Sequence, residues 1–105
     1  MIKYIDKPEE RLTVAILANT KFDVVHKIEQ VTCVTHFVAW NEKYLMPNNF
    51  KVVLRCDPKD TYSIEEGHAR AKKILLDNYH ASFEKRMNVF KEDMKQLVKA
   101  CDERI

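Results

Sequence analysis

In "LTVAILA" the apolar residues Leu12, Val14, Ile16 and Ala18 fall at every second position, the period of a strand that buries one face. Asn19-Thr20 interrupts that pattern. A helix over 21–30 would then place Phe22, Val25 and Ile28 on one side, with Thr20 and Asp23 at capping-box spacing. "VTCVTHFVAW" (31–40) is β-branched and aromatic on both faces, which predicts a strand covered on both sides. "NEKYLMPNN" reads as a loop whose asparagines can adopt left-handed conformations. In "FKVVLRC" Phe50, Val52, Leu54 and Cys56 point inward while Lys51 and Arg55 point outward, a further strand expected to pair antiparallel with 31–40. The N-terminal "IKYIDKPEER" is charged and broken by Pro8, and it reads as an arm.

Ser63 and Glu66 form a second capping box after the turn-prone "DPKD". Beyond Gly67 there is neither Pro nor Gly, so the helical pattern runs from Ile64 to about Glu103, roughly 60 Å of helix. A compact chain of this size has a radius of gyration near 13 Å, about a quarter of that length. The helix must therefore break near Asp77-Asn78 or carry its second half to a partner. Leu76, His80, Phe83, Met87, Phe90, Met94, Leu97 and Cys101 recur at alternating spacings of 4 and 3, a heptad seam. A parallel pair would oppose Arg86 to Lys91, whereas an antiparallel pair sets Glu84 against Lys91 and Arg86 against Asp93. The seam thus predicts an antiparallel homodimer. The alternative is a stripe that kinks and packs back on the sheet.

With 105 residues, 46% apolar and 32% charged, the chain reads as one globular domain. Its expected organisation is an arm (1–11), a sheet with a short helix (12–56), and a turn leading into the long helix (57–105). The fold class is α+β: a small, largely antiparallel three-stranded sheet, a short helix after the first of its strands, and one long C-terminal helix. A formal charge of +2 neither demands nor excludes a polyanionic partner. Three cysteines without close pairing suit a reducing compartment. No apolar run approaches the length of a membrane span, so a cytoplasmic protein without membrane contact is expected.

A single glycine cannot build a phosphate-cradling loop, and no nucleophile motif or dinucleotide fingerprint is present. Cys33 and His36 would point to opposite faces of their strand. Cys56, Asp57, Asp60 and His68 come nearest to a ligand cluster, but a buried thiol and a turn aspartate account for them as well. His26, His36 and His80 read as packing residues. No cofactor, metal or catalytic residue is expected, and the chain is not expected to be an enzyme. Lys91, Lys95 and Lys99 lie at i, i+4 and i+8, an exposed basic stripe that could contact phosphates. Tyr44, Leu45 and Met46, with Trp40 at the entry of the loop, form an apolar loop suited to a protein partner.

From Cys56 to Ala71 the pattern C-D-P-x-D-x-Y-x4-G-x3-A resembles a signature of small uncharacterised bacteriophage proteins, in which a strand ends in this turn and a long charged helix follows. The resemblance implies phage origin, a bacterial host cytoplasm and an accessory role without a catalytic residue. Gly67 and Ala71 form a small-residue pair at i, i+4 that would let the helix lie close on the sheet. The expectation is a non-enzymatic phage accessory protein that binds and modulates a host or phage protein, for instance as a counter-defence inhibitor, and works as a helix-mediated homodimer. The alternative is a nucleic-acid-associated protein using Lys91, Lys95 and Lys99.

Overall fold

The structure, a computed structural model, describes residues 1–32 and 42–103. Its sheet is a meander of β1 (Ile2–Lys7), β2 (Leu12–Ala18) and β3 (Asn49–Arg55), in that spatial order with both pairs antiparallel. A short helix α1 (Asp23–Thr32) follows β2, and a single helix α2 (Ile64–Asp102) of 39 residues closes the chain. The α+β class, the antiparallel sheet and the long terminal helix are those expected from the pattern.

The N-terminal segment is not an arm. It is the strand β1, joined to β2 by a tight turn over Pro8–Glu10, where Pro8 starts the turn and Arg11 closes it in a left-handed conformation, φ 55°. Its periodicity is hidden in the sequence because Asp6 shares the helix-side face with Ile2 and Tyr4, while Ile5 sits among lysines on the other. The stretch expected as a strand over 31–40 begins with Val31 and Thr32, which end α1, and its remainder lies outside the described residues. β3 pairs with β2, along a register that runs from Leu12 opposite Arg55 to Ala18 opposite Asn49.

The chain divides into two compact units, Met1–Thr20 with Pro47–His80, and Lys21–Met46 with Ala81–Ile105. In the first, the helix-side face of the sheet consists of three cross-strand rows: Ile2–Leu17–Phe50, Tyr4–Ala15–Val52 and Asp6–Thr13–Leu54. Ala71 and Leu75 of α2, both fully buried, pack with Ala15 and Val52 at the centre, and Ile2, Tyr4, Leu17, Phe50 and Leu54 surround them. Burial of a leucine of this kind contributes about 1.5–3 kcal/mol. Tyr79 adds an edge-on contact to Phe50, with ring centroids 5.7 Å apart.

Ser63 caps α2 as its spacing predicts. Its Oγ accepts the Glu66 amide at 3.3 Å, and the Gly67 amide donates to its carbonyl at 2.9 Å. The Glu66 side chain turns outward to Arg70 at 2.6 Å. The sole glycine sits where the helix crosses β2. A Cβ built on Gly67 would lie 2.5 Å from Thr13 Oγ1 and 3.4 Å from Thr13 Cβ, so only glycine permits this approach. α2 continues past Asp77-Asn78 without a break.

In the second unit α1 buries Val24, Val25 and Ile28. Phe22, expected on that face, precedes the helix and is exposed. A turn over Glu42–Tyr44 carries the segment that ends in Met46, whose amide donates to the Lys21 carbonyl at 2.9 Å.

Candidate functional site

Every candidate in the second unit involves α2 beyond residue 80. The apolar loop is held by that helix and is not displayed. Tyr44 is 2% exposed and Met46 4%. The Tyr44 hydroxyl donates to Asp93 Oδ2 at 2.5 Å, and its ring meets Phe90 edge-on at 5.7 Å. Lys43 pairs with the same carboxylate at 2.7 Å. Arg86 donates from Nε to the Leu45 carbonyl at 2.5 Å and from Nη1 to Ser82 Oγ at 2.5 Å. These bonds shift both acidic groups of the pair. The Lys43 ammonium and then the Tyr44 hydroxyl hold the Asp93 carboxyl below the usual carboxylate range. Burial, with Asp93 adding to it, pushes the Tyr44 phenol up to about 12.

This arrangement corrects two expectations. Tyr44 and Met46 cannot serve as a partner-binding loop, because burial and the Asp93 bond consume the tyrosine. Leu45 is half-buried and bonded through its carbonyl, and Trp40 lies outside the described residues. The antiparallel charge pairing also fails at one of its two contacts, because Arg86 and Asp93 are both engaged by residues 42–46 of their own chain. Along the seam, Leu76, Phe83, Met87, Phe90 and Met94 are half-buried, while His80, Leu97 and Cys101 are exposed. Lys91, Lys95 and Lys99 stand exposed as expected.

The residues from 56 to 71 build a junction between sheet and helix in the first unit. The Cys56 amide continues the ladder to the Arg11 carbonyl at 2.9 Å. The Arg11 guanidinium donates to the carbonyls of Asp57, at 2.9 Å, and of Asp60, and to Cys56 Sγ at 3.4 Å. Asp57 Oδ1 accepts the Lys59 amide at 2.8 Å, which tightens the turn. A cleft of about 360 Å³ opens beside it, lined by Arg11, Cys56, Asp60, Tyr62 and Gly67 among others. His68 does not join Cys56 and Asp60. Its Nε2 lies 2.9 Å from both oxygens of Asp6, and its ring stacks on Tyr4 at 4.0 Å. Among the described residues no group of three or more His, Cys, Asp or Glu side chains could hold a metal ion. Cys56 and Cys101 are free thiols.

The face of the sheet turned away from α2 is the surface that sequence reasoning missed. Its rows are Lys3–Ile16–Lys51, Ile5–Val14–Val53 and Lys7–Leu12–Arg55. Each outer row has a cation at both ends and an aliphatic residue between them, and the middle row is wholly aliphatic. Val53 is 56% exposed and Ile5 39%, Val14 between them is buried at 7%, Leu12 and Ile16 are half-buried, and the four cations are exposed. None of the four makes a hydrogen bond or ion pair among the described residues. No carboxylate stands in the three rows, because Asp6 faces the helix. The signal was present in "IKYIDK" and "FKVVLR", where alternate positions hold Lys3, Ile5, Lys7 and Lys51, Val53, Arg55, but it becomes a surface only once β1 is a strand.

The chain matches no protein-family model, no curated protein and no solved structure. Among the described residues no helix is long and apolar enough to cross a membrane.

Proposed function

We propose that the protein is a non-enzymatic accessory factor that binds another protein through the outer face of its sheet and modulates it. One observation carries this reading: an aliphatic row, Ile5–Val14–Val53, exposed at both ends with Val14 buried between them, framed by four cations that have no partner in their own unit. Isolated exposed apolar residues are ordinary on any surface, but a contiguous patch bounded by one sign of charge is a feature of interaction sites. The resemblance of 56–71 to small phage proteins supports an accessory role in a bacterial host, inhibition of a defence protein being one form of it. A helix-mediated dimer would have to use the exposed end of the seam, Leu97 and Cys101 with Val98.

The second reading is nucleic-acid association through Lys91, Lys95 and Lys99, favoured by their common exposed stripe. Paired affinity purification separates the two. The wild-type chain, a Lys3→Glu/Lys51→Glu/Val53→Glu variant and a Lys91→Glu/Lys95→Glu/Lys99→Glu variant are compared with and without nuclease. A protein partner that survives nuclease and is lost only from the sheet-face variant supports the first reading. Nucleic acid recovered with the wild type and lost only from the helix variant supports the second.

A further inference from the structure

We infer that the occupant of the outer sheet face is an acidic amphipathic helix of a partner protein, laid along β2; this rests on the sheet-face reading above. The column Leu12, Val14 and Ile16, half-buried at its ends and buried at Val14, spans about 14 Å along the strand, between two and three helical turns. Ile5 and Val53 stand exposed on either side of its centre. Apolar residues at i, i+3 or i+4, and i+7 of a helix cover such a column. On either side, about 5 Å away, run β1 and β3. They carry Lys3 and Lys7 on one flank and Lys51 and Arg55 on the other. A helix about 10 Å across seated on β2 therefore has its flanking positions above these four cations. Carboxylates at those positions match the charge of both flanks at once.

Other occupants fit the surface less well. A second copy docked by two-fold symmetry would bring the four cations against the same four, which is repulsive at every corner. Nucleic-acid-binding sheets stack bases on aromatic rings, and the centre of this face is Ile5, Val14 and Val53. The four cations also predict that binding depends on salt, since exposed charges are screened beyond about 10 Å at 0.1 M.

The test uses the full chain and a displayed library of 16-residue helix-forming peptides, selected on wild type with the Lys3→Glu/Lys51→Glu variant as the counter-selection bait. The enriched peptides should carry an apolar stripe at i, i+3 or i+4, and i+7 with Asp or Glu on both flanks. A synthetic example should lose at least about tenfold in affinity to Lys3→Glu/Lys51→Glu or Val53→Glu, and to wild type at high salt. It should bind Lys91→Glu/Lys95→Glu/Lys99→Glu unchanged. Unaltered circular dichroism and melting temperature confirm that the variants are folded.

Enriched peptides that depend on Val53 but lack acidic flanks would overturn the acidic helix and leave the sheet face as the interface. Tighter binding of a 20-nucleotide single strand, an RNA duplex or phosphatidylglycerol vesicles through the same cations would do likewise. The absence of any peptide, nucleic acid or vesicle whose binding depends on Val53 and these cations would overturn both readings.

Discussion

Thr13 of β2 and Gly67 of α2 stand so close that a Cβ on the glycine would lie 2.5 Å from the threonine hydroxyl. Thr13 is 1% exposed, and Ala71 and Leu75 follow Gly67 along the same ridge with no exposure at all. The ridge grows in size away from the turn, from Gly to Ala to Leu. The helix can therefore touch the sheet where the junction of residues 56–63 delivers it. A glycine is used where helix propensity alone argues against one, because the contact has no room for a methyl group.

Gly67→Ala should destabilise the protein despite improving the helix. The propensity gain is about 1 kcal/mol, while overpacking a buried contact costs about 1–3 kcal/mol. Thr13 is β-branched and enclosed, so it cannot swing clear at little cost. In a Thr13→Ala background the clash disappears, and the same substitution should become neutral or stabilising. Urea unfolding of the four proteins in this cycle tests the contact directly. A wild-type background in which Gly67→Ala raises the stability would refute the packing account.

The Lys43–Asp93–Tyr44 group predicts loss of stability at both ends of the pH scale. The Asp93 carboxyl is held low, first by Lys43 and then by Tyr44, so its contribution is complete above the ordinary carboxylate range and is lost as pH falls through the lowered value. The Tyr44 phenol is raised to about 12, so its contribution is complete below about 10, the ordinary tyrosine value, and disappears as pH rises towards about 12. Tyr44→Phe should cost about 1 kcal/mol at neutral pH and flatten the alkaline limb of the stability profile. Its tyrosinate absorbance titration should also lack a step near pH 12. An unchanged alkaline limb in Tyr44→Phe would mean that the hydroxyl is not held as described.

The fold class was legible because β2, β3 and α2 each follow one period cleanly: alternation in "LTVAILA" and "FKVVLR", and an unbroken helical run after a capping box. β1 was not legible, because Asp6 occupies an inward position and is satisfied there by His68, a partner 62 residues away. The apolar loop was misjudged for a related reason. Local sequence shows that Tyr44 and Met46 are apolar, but not that Arg86 and Asp93 bind the loop to the helix. Those two charges had an attractive assignment across a dimer, and intrachain partners took precedence. The sheet-face rows were beyond reach for the same cause, since a cross-strand row exists only when the register of three strands is known.

Arg11 clamps the junction, and its replacement should loosen that turn selectively. Its guanidinium reaches two carbonyls and a thiol, with Nε buried and without a partner among the described residues. All three contacts are made by Nη2, at the far end of the guanidinium, and Arg11→Lys keeps the charge but ends one bond short of that position. A destabilisation of about 1–2 kcal/mol is expected. Hydrogen exchange should accelerate at the Asp60 amide, which donates to Asp57, before it does so at Val52 in the sheet. Equal acceleration at both positions would show that Arg11 supports the whole fold and not the turn.

The two faces of the sheet should answer substitution in opposite ways. On the helix side Leu75→Ala opens a cavity in a fully buried cluster and should cost about 2–5 kcal/mol. On the outer side Val53→Thr, Lys3→Glu and Lys51→Glu alter exposed groups without bonds and should stay within about 0.5 kcal/mol of wild type. Lys3 and Lys51 stand on either side of Ile16, about 10 Å apart, so reversing either removes only a weak, screened repulsion and should not lower stability. Thermal melts of the four variants distinguish the faces. If Val53→Thr or Lys51→Glu destabilised the protein as strongly as Leu75→Ala, the outer rows would be part of the core, and their exposed aliphatic residues and unpaired cations would no longer point to a partner.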